Sequence, residues 1–213
     1  MANHIAGIDH AIVGVRDLEQ ACATFQRLGF CTTPLGRHLG RGTGEHCLVF
    51  AEDHVELCGI VDPAEGSESL ERFLAAGEGL WALALRTADP HATHAAWAEA
   101  GLAPAAVAEN GRVMEPDLEI RCQDVMLDAA ATSGVPLFAC APFQPERLRR
   151  QEWLGHPNGA RGIGSVTVVV EDPEAFVAPM SKVFGAPSLT ETDDTLAVHT
   201  GRNIVLFATP DDL

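Results

Sequence analysis

The chain has 213 residues, 46% of them hydrophobic, enough to fill one large domain or two small ones and too many for a disordered chain. Thirty acidic residues against 14 basic ones leave a net charge of −16, a balance that repels a phosphate backbone and argues against nucleic acid as a partner. Six cysteines without a C-x-x-C pair, no leader-like N-terminus and no apolar run near the roughly 18 residues that span a bilayer predict a reduced, cytoplasmic protein with no membrane partner.

From the N-terminus, "IDHAIVGV" alternates as a strand and runs into a helix capped by Asp17, with Gln20 completing a capping box and Gly29 stopping it. Ala11, Val13 and Val15 share one face of that strand, while Ile8, His10, Ile12 and Gly14 share the other, so His10 points away from its own helix. Three strand-like runs follow: "FCTTPLG", "EHCLVFA" and "HVELCGIV". In the last, His54, Glu56, Cys58 and Ile60 share a face. A glutamate in the middle of such a strand invites a cation, because carboxylates are rarely buried without a partner.

A short helix is expected around Ser69 to Ala75, and the same grammar then returns. In "LWALALRTADPHATHAAWAEAGL" Asp89 caps, Pro90 opens the helix and Gly101 ends it, before the strand-like runs "LAPAAVA", "LEIRCQDVML" and "VPLFACA". A polar connection carries Arg147, Arg149 and Arg150 as a solvated basic face. The third pass has Asp172, Pro173 and Gly185 in the same roles, Pro179 as a potential kink, and the runs "PSLTET", "TLAVHT" and "NIVLFAT". The near-equal spacing from cap to stop marks one β-α-β-β-β unit used three times. The predicted class is therefore α+β. Units are expected at 6–62 and 79–143 within a domain spanning 6–145, followed by a linker at 146–161 and a third unit at 162–210.

A chain of such units with "DHAIVGVRDLEQA" and "VEL", and with "GRHLGRGTGEHCLVFAEDHVELCGIVDP", "LALRTAD" and "HPNGARGIGSVTVVVEDP", resembles the vicinal oxygen chelate superfamily of glyoxalases, bleomycin-resistance proteins and extradiol dioxygenases. Within it the chain is similar to a glyoxalase-like subgroup, over nearly its whole length. The resemblance implies repeated units whose mixed sheets curve into a cup with the helices outside. It also implies that His10 and Glu56 match the first-strand and fourth-strand ligand positions for a divalent ion such as zinc, nickel, manganese or iron. The corresponding activity is that of a lyase or isomerase on a small oxygenated substrate, with the ion polarising two neighbouring substrate oxygens and Glu56 doubling as general base. The alternative is a metal-free protein that sequesters a small molecule in the cup, as drug-resistance members do.

The superfamily's second ligand pair is missing, since alignment of the units puts Ala82 and Ser165 at the position of His10, and Phe138 or its neighbour and a residue within 203–205 at that of Glu56. A metal site then needs recruits, with His54 and His156 as the leading candidates beside His38 and His46. A dioxygenase would need one of them to complete a two-histidine, one-carboxylate set. Arg121 and Gln123 are expected to project into the cup as substrate-binding groups, and "GRHLGRGTGEH" to close over its mouth with Arg37, His38 and Arg41 meeting an anionic substrate. A cup takes two units, so the third either pairs with its counterpart in another chain or packs on the outer edge, and open sheet edges favour pairing in a homodimer.

Overall fold

The computed structural model describes residues 4–114, 116–192 and 194–212. The first unit runs β1 (Ile5–Gly14), α1 (Leu18–Arg27), β2 (Gly36–His38), β3 (Thr43–Val49) and β4 (His54–Ile60). After α2 (Glu68–Ala76) the second runs β5 (Gly79–Thr87), α3 (Pro90–Glu99), β6 (Ala108–Met114), β7 (Leu118–Met126) and β8 (Leu137–Pro142). Beyond the short α4 (Gln151–Leu154) come β9 (Ser165–Val169), α5 (Val177–Phe184), β10 (Leu189–Thr192), β11 (Thr195–His199) and β12 (Ile204–Ala208).

The helical segment of each repeated unit starts on an aspartate: Asp17 accepts from the Gln20 amide at 2.9 Å, Asp89 from Ala92 at 2.9 Å and Asp172 from Glu174 at 3.1 Å. Gly29, Gly101 and Gly185 follow the helix ends at φ of 84°, 79° and 83°, a left-handed backbone that side chains disfavour. The third helix opens as a 3-10 turn over Pro173–Phe176 and becomes α-helical at Val177. Pro179 thus falls in the first α turn, where its missing N–H takes no interior hydrogen bond away.

Two strands begin later than the sequence pattern suggests. β2 starts at Gly36 rather than Phe30, and β6 at Ala108 rather than Leu102. The residues before them make isolated bonds, Thr33 N–H to Cys47 O at 3.0 Å and Ala105 N–H to Met126 O at 2.9 Å, and Pro34 and Pro104 cannot donate to a ladder.

The first two units close into one barrel in the order β1-β4-β3-β2-β6-β7-β8-β5. β1 and β5 join antiparallel, with His10 opposite Ala84 and Ile12 opposite Ala82, and β2 joins β6 antiparallel. Within each unit the first and last strands pair parallel: Ile12 lies beside Glu56, Ala84 beside Phe138 and Thr167 beside Leu206. This register puts Ala82 and Phe138 where the first unit has His10 and Glu56, and Leu206, one residue past the anticipated range, at the Glu56 position of the third. Closure leaves the barrel without free edges and points alternate side chains inward.

The third unit forms a separate sheet, β10-β11-β12-β9, against the outside of the barrel. Phe176, Met180, Val183, Phe184, Leu196, Val198, Val205 and Phe207 share one core with Trp97, Leu83, Leu85, Val125 and Leu137. Fully buried Trp97 donates its indole N–H to Val183 O at 3.0 Å. No helix among the described residues is long and apolar enough to cross a membrane.

Buried Asn203 ties this sheet to the barrel: its Oδ1 accepts from the Ile8 amide at 2.8 Å and its amide donates to Ile163 O. Asn203→Ala leaves both backbone groups without partners and is expected to destabilise the protein by about 1–3 kcal/mol. Urea unfolding followed by tryptophan fluorescence measures it.

Candidate active site

Inward-facing residues of the barrel enclose a cavity of about 550 Å³. His10 and Ile12 of β1, His54, Glu56 and Cys58 of β4, Ile120, Cys122 and Asp124 of β7, and Phe138 and Cys140 of β8 line it. The first unit makes the polar side. His10 Nε2 lies 3.9 Å from Glu56 Oε2, and His38 Nε2 lies 3.8 Å from Glu56 Oε1 and 3.1 Å from Glu45 Oε2. Each imidazole is held at its other nitrogen, His10 Nδ1 by Asp9 Oδ1 and His38 Nδ1 by Thr43 Oγ1, both at 2.9 Å. Glu45 is completely buried and ion-paired with buried Arg112 of β6.

Burial alone would raise the pKa of both glutamates, and their neighbours separate them. Arg112 and His38 outweigh burial at Glu45 and hold its carboxyl well below the usual range. At Glu56 burial and the Glu45 charge act together against the pull of His38 and His10, pushing its carboxyl up to about 7. Burial lowers His10 and His38, but Asp9 and Glu56 for the first, and Glu45 and Glu56 for the second, bring both out above the ordinary histidine value. Asp9 is kept low against burial by His10, His54 and Arg86, the last 3.1 Å away.

The family model for a glyoxalase-like domain matches residues 8–184, most of the chain and both units that build this cavity. The chain belongs to the glyoxalase-like domain family, within the vicinal oxygen chelate superfamily. No curated protein matches it. Among solved structures, this glyoxalase-like chain is similar to a hypothetical protein from Staphylococcus aureus, at 14% identity and a TM-score of 0.79, covering 95% of this chain and 85% of that one. It is also similar to methylmalonyl-CoA epimerase from Mycobacterium tuberculosis, at 20% identity and a TM-score of 0.53, over 65% of this chain and 89% of that one. The Streptomyces coelicolor methylmalonyl-CoA epimerase in complex with 2-nitronate-propionyl-CoA is similar at 18% identity and a TM-score of 0.51, over 64% of this chain and 94% of that one. At these identities the likeness is one of fold.

In the glyoxalase-like cup the residues singled out from the sequence separate into two groups. His10, Glu56 and His38 converge, and His54 stacks on His10 with ring centroids 4.5 Å apart. Arg41 reaches the mouth and donates to Asn110 Oδ1 at 2.8 Å. His156 does not enter: its Nδ1 accepts from the Cys31 amide at 3.0 Å and its Nε2 donates to Val49 O at 2.9 Å, so both nitrogens serve the packing behind β3. His46 is likewise turned outward, with Nδ1 2.8 Å from Thr33 O.

Arg121 and Gln123 are also outside, because the inward face of β7 is that of Ile120, Cys122, Asp124 and Met126. Arg121 is half-exposed and paired with Glu119 at 2.7 Å. Arg37 is exposed on β2, and "GRHLGRGTGEH" is a β2–β3 hairpin with Arg37 opposite Gly44 instead of a closing loop.

The glyoxalase-like family implies a divalent ion, and the donors present fit one. Two ligand atoms each about 2.1 Å from a common ion are themselves about 3–3.5 Å apart. His38, Glu45 and Glu56 each place a donor atom within 4.8 Å of the others, His10 Nε2 stands 3.9 Å from Glu56 Oε2, and each imidazole has its second nitrogen engaged, as ligating histidines usually do. The third donor comes from β2 and not from the second unit, where Phe138 packs its ring 5.7 Å from His10.

Sequence reading missed Glu45, Arg112 and Asp9. The alternation of Glu45, Cys47 and Val49 in "EHCLV" was the available signal for Glu45. Arg112→Met would strand Glu45 as an uncompensated buried charge and is expected to destabilise the fold by about 3–5 kcal/mol. Adding Glu45→Gln should return most of that loss, and urea denaturation of the single and double variants measures the difference.

Proposed function

We propose that this glyoxalase-like protein is a divalent-metal-dependent isomerase or lyase that moves a proton on a small oxygenated substrate bound in the barrel. The observation that carries this reading is the convergence of His10 Nε2 and His38 Nε2 on the two oxygens of buried Glu56, at 3.9 and 3.8 Å, beside a second buried carboxylate, Glu45, paired with Arg112. Glu56, with its carboxyl pushed up to about 7, can both take and return a proton at neutral pH. His10, His38 and Glu56 would hold the ion, which supplies charge stabilisation to neighbouring substrate oxygens.

The chain's own residues do the rest. Glu56 accepts the substrate's carbon-bound proton, and His10 and His38 stand beside its two oxygens to hold its orientation. Glu45, fixed by Arg112, keeps the Glu56 proton exchangeable by making a second negative charge unfavourable. The apolar wall of Ile12, Trp81, Ile120 and Phe138 receives the carbon part of the substrate and excludes water.

Inductively coupled plasma mass spectrometry on untagged protein purified without chelator tests the reading. His10→Ala with Glu56→Ala is expected to lower bound metal by one equivalent per chain relative to wild type. No difference, even after reconstitution with zinc, nickel, manganese or iron(II), would move the assignment to metal-free sequestration of a small molecule.

The reading includes a homodimer built on the third unit. β9 and β10 end its sheet, and the matching strands β1 and β2 each pair with a strand of the other barrel unit. Pairing of both edges with a second copy would close a second barrel about a two-fold axis. Sedimentation equilibrium should give twice 22.6 kDa, and Val169→Lys, at a half-exposed position on β9, should shift the mass toward the single chain.

A further inference from the structure

On β7 and β8, three potential ligands meet without any role in the chemistry above. Cys122 and Asp124 are two residues apart on β7, and Cys140 of β8 is the cross-strand partner of Asp124. One ligand atom from each lies within 4.8 Å of the others, and all three residues face the cavity. Asp124 is 7% exposed, and its Oδ1 has no hydrogen-bond partner, while Oδ2 accepts from the Asn110 amide at 2.7 Å. Asn110 is in turn held by Arg41 at 2.8 Å. A carboxylate held through one oxygen by an amide, with its other oxygen buried and unpartnered and two thiols close to the group, is the arrangement of a ligand backed by a positioning partner.

We infer that Cys122 Sγ, Cys140 Sγ and Asp124 Oδ1 form a second cation site, selective for a thiophilic divalent ion such as zinc and distinct from the His10–His38–Glu56 set. Three protein donors with the fourth direction open to the cavity suit tetrahedral zinc. The two cysteines are diagonal neighbours across β7 and β8, a spacing of about 7–8 Å between Cα atoms that an ion spans more readily than a disulfide. Binding forms two sulfur–metal bonds and releases two thiol protons to solvent, with no change of oxidation state.

Cobalt(II) is the probe, because thiolate ligands give a near-ultraviolet sulfur-to-cobalt charge-transfer band that imidazole and carboxylate do not. Titration of the full-length wild type should develop this band, and zinc should abolish it. The band should persist in His10→Ala with Glu56→Ala and vanish in Cys122→Ser with Cys140→Ser. Asn110→Ala, which keeps both thiols, should weaken cobalt binding about 10–100-fold by releasing Asp124. Absence of the band in wild type, its survival in the serine variant, or unchanged affinity in Asn110→Ala would overturn the assignment. Loss of the histidine-site metal alone leaves the band intact, so failure of that site and failure of this one are told apart.

Discussion

The buried ion pair between Glu45 and Arg112 is the constraint from which the chemistry of the cup follows. Glu45 comes from β3 and Arg112 from β6, so the pair forms only once β2 and β6 have closed the two units into one barrel. Two charges taken out of water are expensive unless each has its partner, which makes this contact a strict condition on closure. It also sets its surroundings electrostatically. With Glu45 held ionised, a second negative charge on neighbouring Glu56 is disfavoured, and the His38 imidazole is drawn toward its protonated form.

The barrel is built from repeated units, yet its two halves do different work. The first supplies His10, His38, Glu45 and Glu56, whereas in the second the positions of His10 and Glu56 are filled by Ala82 and Phe138. Under the proposed function, an imidazole–carboxylate head group opposite an aromatic and aliphatic wall would orient a substrate by its oxygens and leave its carbon skeleton against apolar surface. The third donor arrives from β2 because the hairpin that carries His38 is pinned to β3 on one side and to β6 on the other. A flexible loop at the same place could not hold an imidazole nitrogen within 3.8 Å of Glu56.

Much of this was legible in the sequence, and the limits have identifiable causes. Aspartate caps and glycine stops are local signals, so all three helices could be read directly. Period-two alternation placed His10 and Glu56 on the inward faces of β1 and β4, since one face of each strand is plainly apolar. On β7 neither face is: Glu119, Arg121 and Gln123 alternate with Ile120, Cys122 and Asp124, and the phase that put Arg121 inside was off by one residue. "AENGRVM" carries an Asn-Gly pair that normally signals a turn, and it becomes β6 only because β2 and β7 hold it from both sides. Arg112 and its partner Glu45 were therefore products of barrel closure, which no local pattern encodes.

Closure also explains what the third unit does for the first two. The cup carries polar atoms without protein partners, both nitrogens of His54 and Oδ1 of Asp124 among them, and each such atom subtracts from stability. The barrel interior supplies only part of the offset, from two smaller apolar clusters set around a central cavity. The large apolar cluster lies instead between the barrel's outer surface and the third sheet, where Trp97 and the α5 side chains Met180, Val183 and Phe184 are buried together. An outward-facing core lets the inward face stay polar and partly hollow, so the third unit stabilises a site to which it contributes no cavity-lining residue among the described ones.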